Sequence, residues 1–359
     1  MPGYYFNLPP IGDLNPTQNL AMVDDNAIAL SGGPGTGKSV VSIYRHILNH
    51  TRENIINSQL ITFTTSLAYY LAGCCRNQSV NAANKVDSTL NWITNNAGAR
   101  AEIIHDEAQD LALSINQRLR NYSNKISYGA DDQQLIRGNA RNPDGTFNLN
   151  FCSPEGELRD EFRNNSLHTL SRNYRNSKRI LQFAKRLLNQ AVIPLEIIES
   201  CTTVGEYPRL IIKRNNQQLD QAVLQIVNQF RVNETINIAI LVPFENVPFR
   251  GGETATANYY FNLLNQNGID CSVYTNGMHG NLEIKNIHVT TFKSAKGLEF
   301  DVVVLPEFHL INSQFRIVDW KDYYVGITRT KSNLFLISNS DFVNISSDGV
   351  NKLIDKVSL

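Results

Sequence analysis

Two short stretches carry residue types whose spacing permits chemistry on a nucleotide. Gly32–Ser39 reads GGPGTGKS and satisfies G-x-x-x-x-G-K-[ST] in full. In such a run the backbone N–H groups can wrap phosphates, and the following helix aims its positive end at them. Gly32, Gly33, Pro34, Gly35 and Thr36 would shape that cradle. Gly37 and Val40 would complete the nucleotide-binding set, with the helix starting at Lys38. Lys38 could then reach the β and γ phosphates, while the Ser39 hydroxyl could ligate Mg²⁺. The second stretch is Ile103–Asp110, IIHDEAQD, an apolar run ending in adjacent carboxylates. Asp106 would hold the Mg²⁺ through water, and Glu107 would polarise the attacking water. Alone, the first stretch could be a Gly-rich turn and the second a solvated helix cap. In this order along one chain they point to ATP hydrolysis.

These residues need elements to hold them. Ala27–Ser31 reads as a buried strand before the glycines, and Val40–Leu48 carries helical spacing after them. Leu60–Thr64, Ala101–His105, Ile126–Gly129 and Leu167–Leu170 read as further strands. The alternation restarts beyond Asn176, where Ile180–Leu188 has helical spacing. Strands are expected there at Leu210–Lys213, Ile236–Val242, Cys271–Tyr274, Ile287–Thr291, Val302–Leu305 and Leu334–Ser338. Such a pattern predicts an α/β fold of two tandem lobes, with parallel sheets covered by helices on both faces. The expected domains are residues 1–176 and 177–359.

Composition bounds the rest. The 33 Lys+Arg balance 33 Asp+Glu, so any nucleic-acid contact must be a local groove. A charged share of 18% against 42% hydrophobic residues excludes intrinsic disorder. No apolar run reaches the ~18 residues of a membrane span, and the start MPGYYFNLPP lacks the pattern of a signal peptide. The five cysteines show no CxxC spacing and read as free thiols. A soluble cytoplasmic protein is expected.

Taken together, the motifs resemble those of superfamily 1 helicases of the UvrD/Rep type, from Leu14 to about Ser338. LNPTQ (Leu14–Gln18) resembles the adenine-reading motif and implies Gln18 on the base. ITFTTSLAYYL (Ile61–Leu71) resembles motif Ia, in which Phe63 would meet a nucleobase. DEAQD (Asp106–Asp110) is similar to motif II, with Gln109 and Asp110 as coupling residues. GADDQQLIRG (Gly129–Gly138) resembles motif III, with Gln133 sensing the γ-phosphate. LSRNYR (Leu170–Arg175) resembles motif IV, implying that Tyr174 stacks on adenine and Arg175 is an arginine finger. TFKSAKGLEF (Thr291–Phe300) resembles motif V, with Glu299 on the ribose. YVGITRT (Tyr324–Thr330) resembles motif VI, with Arg329 as a second finger. The resemblance implies two RecA-like P-loop NTPase lobes that use ATP and Mg²⁺ in the cleft between them, coupling chemistry to lobe motion. For Arg175 and Arg329 the plain alternative is a surface salt bridge, and for Tyr174 and Phe63 core packing.

The sequence also departs from that family. Too few residues separate motif Ia from motif II, or Tyr274 from Ile287, to hold the family's two inserted domains. Ile136 stands where motif III carries a base-stacking aromatic, Lys293 replaces the usual His of motif V, and Ala130 replaces an Asp. Arg137 and Lys293, with Lys125 and Lys296, could line a backbone groove, although scattered cations are more often plain surface. The resulting expectation is a nucleic-acid-dependent ATPase, a compact single-stranded DNA translocase or helicase of 3′→5′ sense. The alternative is an ATP-operated switch subunit that signals to a protein partner, such as a nuclease or other effector in bacterial antiviral defence. The balanced charge and missing aromatics favour the switch, and motif Ia and motif V favour the translocase.

Overall fold

The computed structural model describes residues 3–135, 140, 142, 144, 146–188, 192–245, 256–275, 283–312, 320–339 and 349–357. The chain divides into two compact units, one of Phe6–Asn173 and one of Tyr174–Leu359 together with Met1–Tyr5. The change of unit after Asn173 precedes the expected boundary at 176/177, and the N-terminal segment groups with the C-terminal unit.

The first unit is built on β1 (Ile28–Ser31), β2 (Ser58–Thr62), β3 (Val86–Ser88), β4 (Glu102–Asp106), β5 (Ile126–Gly129) and β6 (Ser166–Thr169). They form one sheet in the order β3-β2-β4-β5-β1-β6, and every pairing is parallel. β2, β4 and β5 are buried along their whole length, as strands covered on both faces must be. Because the strands are parallel, the loops that leave their C-terminal ends gather at one edge. That edge receives the glycine loop after β1, Phe63 after β2, Glu107 after β4 and Asp131 after β5.

Local signals set where the helices start. α1 (Pro16–Val23) opens with a capping box between Asn15 and Gln18, with Pro at its first position. α2 (Lys38–Thr51) follows Gly37, whose φ of 89° lies in the left-handed region that favours glycine. α3 (Thr65–Arg76) is capped by Thr64, whose side chain accepts from Leu67 N at 3.1 Å. Thr64 thus belongs to the helix entry, and β2 ends at Thr62, two residues short of the expected strand. Between α3 and β4 the described residues form only short helical turns and β3.

The second unit contains β7 (Arg209–Ile212), β8 (Ile238–Val242), β9 (Ser272–Tyr274), β10 (Ile287–Thr291), β11 (Phe300–Leu305), β12 (Thr330–Ser338) and β13 (Asp355–Val357). Their order is β13-β7-β12-β11-β8-β10-β9, again parallel throughout. Ile240, Val289, Val304 and Phe335 of this sheet pack with Val223, Ile226, Tyr260 and Leu264 from the helices Asn216–Phe230 and Ala257–Gln266. The N-terminal segment joins the same unit through Tyr4 N to Ile284 O (2.9 Å) and Tyr5 N to Asn237 Oδ1 (2.9 Å). The Tyr4 ring meets Phe300 edge-on, and its hydroxyl donates to Glu299 O. Among the described residues no helix is long and apolar enough to cross a membrane. All five cysteines are free thiols, and four of them are buried.

Candidate nucleotide site

The glycine loop is held in shape residue by residue. Gly32, Gly35 and Gly37 all have positive φ, at 140°, 73° and 89°. A Cβ on Gly32 would lie 2.3 Å from Leu170 O, so this position excludes any side chain. Thr36 Oγ1 donates to Gly33 O at 2.8 Å, closing the turn from within. Asn173 Nδ2 donates to Pro34 O at 2.7 Å, and Gln18 Nε2 to Thr36 O at 3.1 Å. Gln18 Oε1 meanwhile accepts from Asn15 N, so the amide expected on an adenine base is bonded at both ends inside this unit.

Lys38 opens α2 and is almost wholly buried. Its ammonium donates to Gly32 O (2.5 Å) and Gly33 O (3.1 Å) and faces the Asp131 carboxylate at 3.6 Å. Ser39 Oγ donates to Asp106 Oδ2 at 2.7 Å. That bond brings a hydroxyl from α2 and a carboxylate from β4 to one point, across the intervening β5. Gly129 makes the approach possible, because a Cβ there would lie 3.3 Å from Asp106 Oδ1 and 3.7 Å from the Lys38 Cβ. Two hard oxygen donors so placed suit Mg²⁺, which binds through one or two carboxylate or hydroxyl oxygens and keeps several waters.

Glu107 follows at once in a left-handed conformation (φ 58°, ψ 42°), uncommon for a residue with a side chain. It leads into the tight turn Ala108–Asp110, and Gln109 Nε2 donates to Glu107 Oε2 at 2.5 Å. Gln109 thereby aims the carboxylate expected to orient water. Gln133 lies half-buried on the turn Asp132–Gln134, whose start is fixed by Asp131 Oδ1 accepting from Gln133 N at 3.0 Å.

Two carboxylates that the sequence reading did not assign also belong here. Asp131 faces Lys38 and accepts from Gln134 Nε2 at 2.7 Å. Glu155 accepts from Ser31 Oγ at 2.6 Å, and its backbone N–H is held by Asp132 Oδ1. Burial pushes the Glu155 carboxyl above the usual range, and the neighbouring Asp132 and Asp131 add to this against the Ser31 bond. Asp131 could have been found from its place in GADDQQ, but Glu155 lies far along the chain with no motif around it.

The expected arginine fingers, with Tyr174 and Glu299, lie in the second unit. Arg175 Nε donates to Glu299 Oε2 at 2.9 Å, so the expected finger and the expected ribose ligand are paired with each other. Burial would raise the Glu299 carboxyl, but the cations Arg175, Lys331 and Arg329 outweigh it and hold it below the usual range. Arg329 is fully buried, with Nε on Val325 O (3.1 Å) at the end of the helix Trp320–Thr328 and a second nitrogen on Leu298 O (3.4 Å). A cation among the last carbonyls of a helix is well placed electrostatically. Tyr174 is half-buried at the start of this unit.

The expected nucleic-acid contacts are divided between the two units. Phe63 is half-buried between β2 and α3, and Lys293 is half-buried in the turn after β10. Lys296 is buried, and Arg137 lies outside the described residues. Lys125 precedes β5, at the opposite edge of the sheet from Phe63. Its ammonium bonds Asp25 O (2.8 Å) and approaches the buried Glu102 (3.8 Å), so it lines no groove beside Phe63.

Two parallel-sheet α/β lobes, the first with a strand, phosphate loop and helix in succession, define the RecA-like class of fold. A likeness in fold is seen to Saccharomyces cerevisiae Dbp5 bound to RNA and ADP BeF3, with TM-score 0.51, 15% identity, and 96% of this chain and 90% of that one covered. A leucine-to-valine variant of Dbp5 with the same ligands gives TM-score 0.52, 13% identity, and coverages of 95% and 89%. The C-terminal domain of a possible DNA helicase from Lactobacillus plantarum WCFS1 matches with TM-score 0.36 and 19% identity, over 51% of this chain and 98% of that one. No curated protein sequence matches the chain. The family model of the UvrD-like helicase C-terminal domain matches residues 253–341.

Proposed function

We propose that the protein is a Mg²⁺-dependent ATPase driven by single-stranded nucleic acid, working as a compact translocase or helicase of 3′→5′ sense. The observation that carries this reading is the Ser39–Asp106 bond of 2.7 Å beside the buried Lys38 ammonium. Those residues would hold the metal and the β and γ phosphates, and Glu107, aimed by Gln109, would orient water. The metal would supply charge neutralisation for the transferring phosphoryl group. Arg175 and Arg329 would act as fingers by family resemblance. Both are engaged inside their own unit, so Arg175 would have to leave Glu299 before reaching a phosphate, which would gate hydrolysis. The test is ATP turnover with and without single-stranded DNA. Stimulation supports the motor, and its absence with turnover intact overturns it.

A second reading rests on the even balance of 33 basic and 33 acidic residues, which gives no general attraction for a polyanion. An ATP-operated switch acting on a protein partner, as in a multi-protein defence system, would need none. A cytoplasmic location fits either reading.

A further inference from the structure

We infer that His105 is a positioning residue that ties the end of β2, beside Phe63, to the turn that aims Glu107. The inference rests on the proposed roles of those two residues. His105 is fully buried in β4, directly before Asp106. Its Nδ1 lies 2.7 Å from Asn116 Oδ1. The amide nitrogen of Asn116 is committed to Ala108 O (3.1 Å) and Ser153 Oγ (2.8 Å), so its oxygen faces the ring and Nδ1 carries the proton. Ser153 then donates through Oγ to Leu111 O (2.7 Å) and through its backbone N–H to Gln109 O (3.0 Å). The carbonyls of residues 108, 109 and 111 are all held by Asn116 and Ser153, that of 109 through the Ser153 backbone N–H. It therefore sets the turn from which Gln109 reaches Glu107.

The other ring nitrogen faces the opposite way. Nε2 lies 3.2 Å from Thr89 Oγ1, which lies 3.0 Å from Thr62 O, the last residue of β2. The two partners of the ring, the Asn116 amide and the Thr89 hydroxyl, are both uncharged, and with the proton on Nδ1 the other nitrogen offers its lone pair. Nε2 is therefore an acceptor, and the single Thr89 hydroxyl proton faces two acceptors, the Thr62 carbonyl and the ring. A shift of the β2 end, such as a base pressing on Phe63 would cause, moves one of them and hands the proton to the other. That is a discrete two-state link between the residue expected to touch nucleic acid and the residue expected to touch water. A polar chain of this kind costs free energy to bury unless each member is paired, so an aliphatic core would be the simpler solution here.

The experiment uses the full chain with Thr89→Val, which removes the hydroxyl at constant volume, and Thr89→Ser, which keeps it. Thr89→Val should cut the stimulation of ATP turnover by single-stranded DNA by about fivefold, with unstimulated kcat and KM unchanged, and Thr89→Ser should restore it. Amide hydrogen exchange supplies a readout independent of activity: segments 60–67 and 104–112 should both lose protection in Thr89→Val. Normal stimulation in Thr89→Val, with only a lower melting temperature, would overturn the inference. So would loss of protection in one segment alone. If the wild-type chain is not stimulated by DNA, the role given to Phe63 fails, and the exchange data still decide the link: a joint response sustains it and independent responses end it.

Discussion

At the scale of single residues, the site divides labour between charge and geometry. On the proposed function Lys38 would be the point charge on the phosphates, so Lys38→Ala should abolish ATP turnover and weaken nucleotide binding, measurable by titration with a fluorescent nucleotide. Glu107→Gln would remove only the group proposed to orient water. It should retain binding and lose hydrolysis by ~10²-fold or more, the usual size of a general-base contribution. A wild-type rate in Glu107→Gln would remove that residue from the mechanism. The pairing of Arg175 with Glu299 adds a further expectation. Arg175→Ala should lower kcat by ~10³-fold, as the loss of an arginine finger does, with ATP affinity little changed. The residues of this site were legible in the sequence because they are local: a glycine run, a lysine and a carboxylate pair each stand out within a single short stretch. Asp131 and Glu155 were less legible because their part in the site comes from tertiary proximity, as when Glu155 takes the Ser31 hydroxyl from far along the chain.

At the scale of elements, caps and strand ends decide where chemistry can stand. Thr64, two residues past the end of β2 at Thr62, starts α3 through its bond to Leu67 N, which fixes Phe63 in the gap between them. Thr64→Ala should cost ~1 kcal/mol of stability in chemical denaturation, the usual worth of such a cap. Glu307, just beyond β11, provides a pH test. It adopts φ 51°, its carboxyl is buried, and burial, with the charge of Asp220 adding, lifts its pKa from 4.5 to about 7. The folded state thus binds this proton more tightly than the unfolded state does. Its contribution to stability is full below pH 4.5 and is lost as pH rises towards 7. Glu307→Gln should flatten the fall in melting temperature over that window. The long aliphatic strands were readable because IAILV in β8 or VVVL in β11 can only be interior. β3 and β13 were not, since VDS and DKV are three-residue edge strands with no apolar signature. Their pairing comes from the sheets they border.

At the scale of the whole molecule, balanced charge sets the terms of any encounter with nucleic acid. Binding of single-stranded DNA should weaken as salt rises, but with a shallow slope, because a narrow local groove neutralises few phosphates. A steep dependence in filter binding would reveal a basic surface that the charge balance hides. The isolated chain should unwind duplexes poorly, since the region between α3 and β4 holds only short elements in place of an inserted domain. The placing of Tyr4 and Tyr5 has a consequence for how the protein is made. These residues bond Ile284 and Asn237 and rest on Phe300, all of which leave the ribosome long after them. The first unit can close around its own sheet while the chain is still growing, yet the segment ahead of it must stay unplaced until β11 exists. A nascent chain stalled before Phe300 should therefore leave Tyr4 and Tyr5 open to proteolysis, and release of the full chain should close that window.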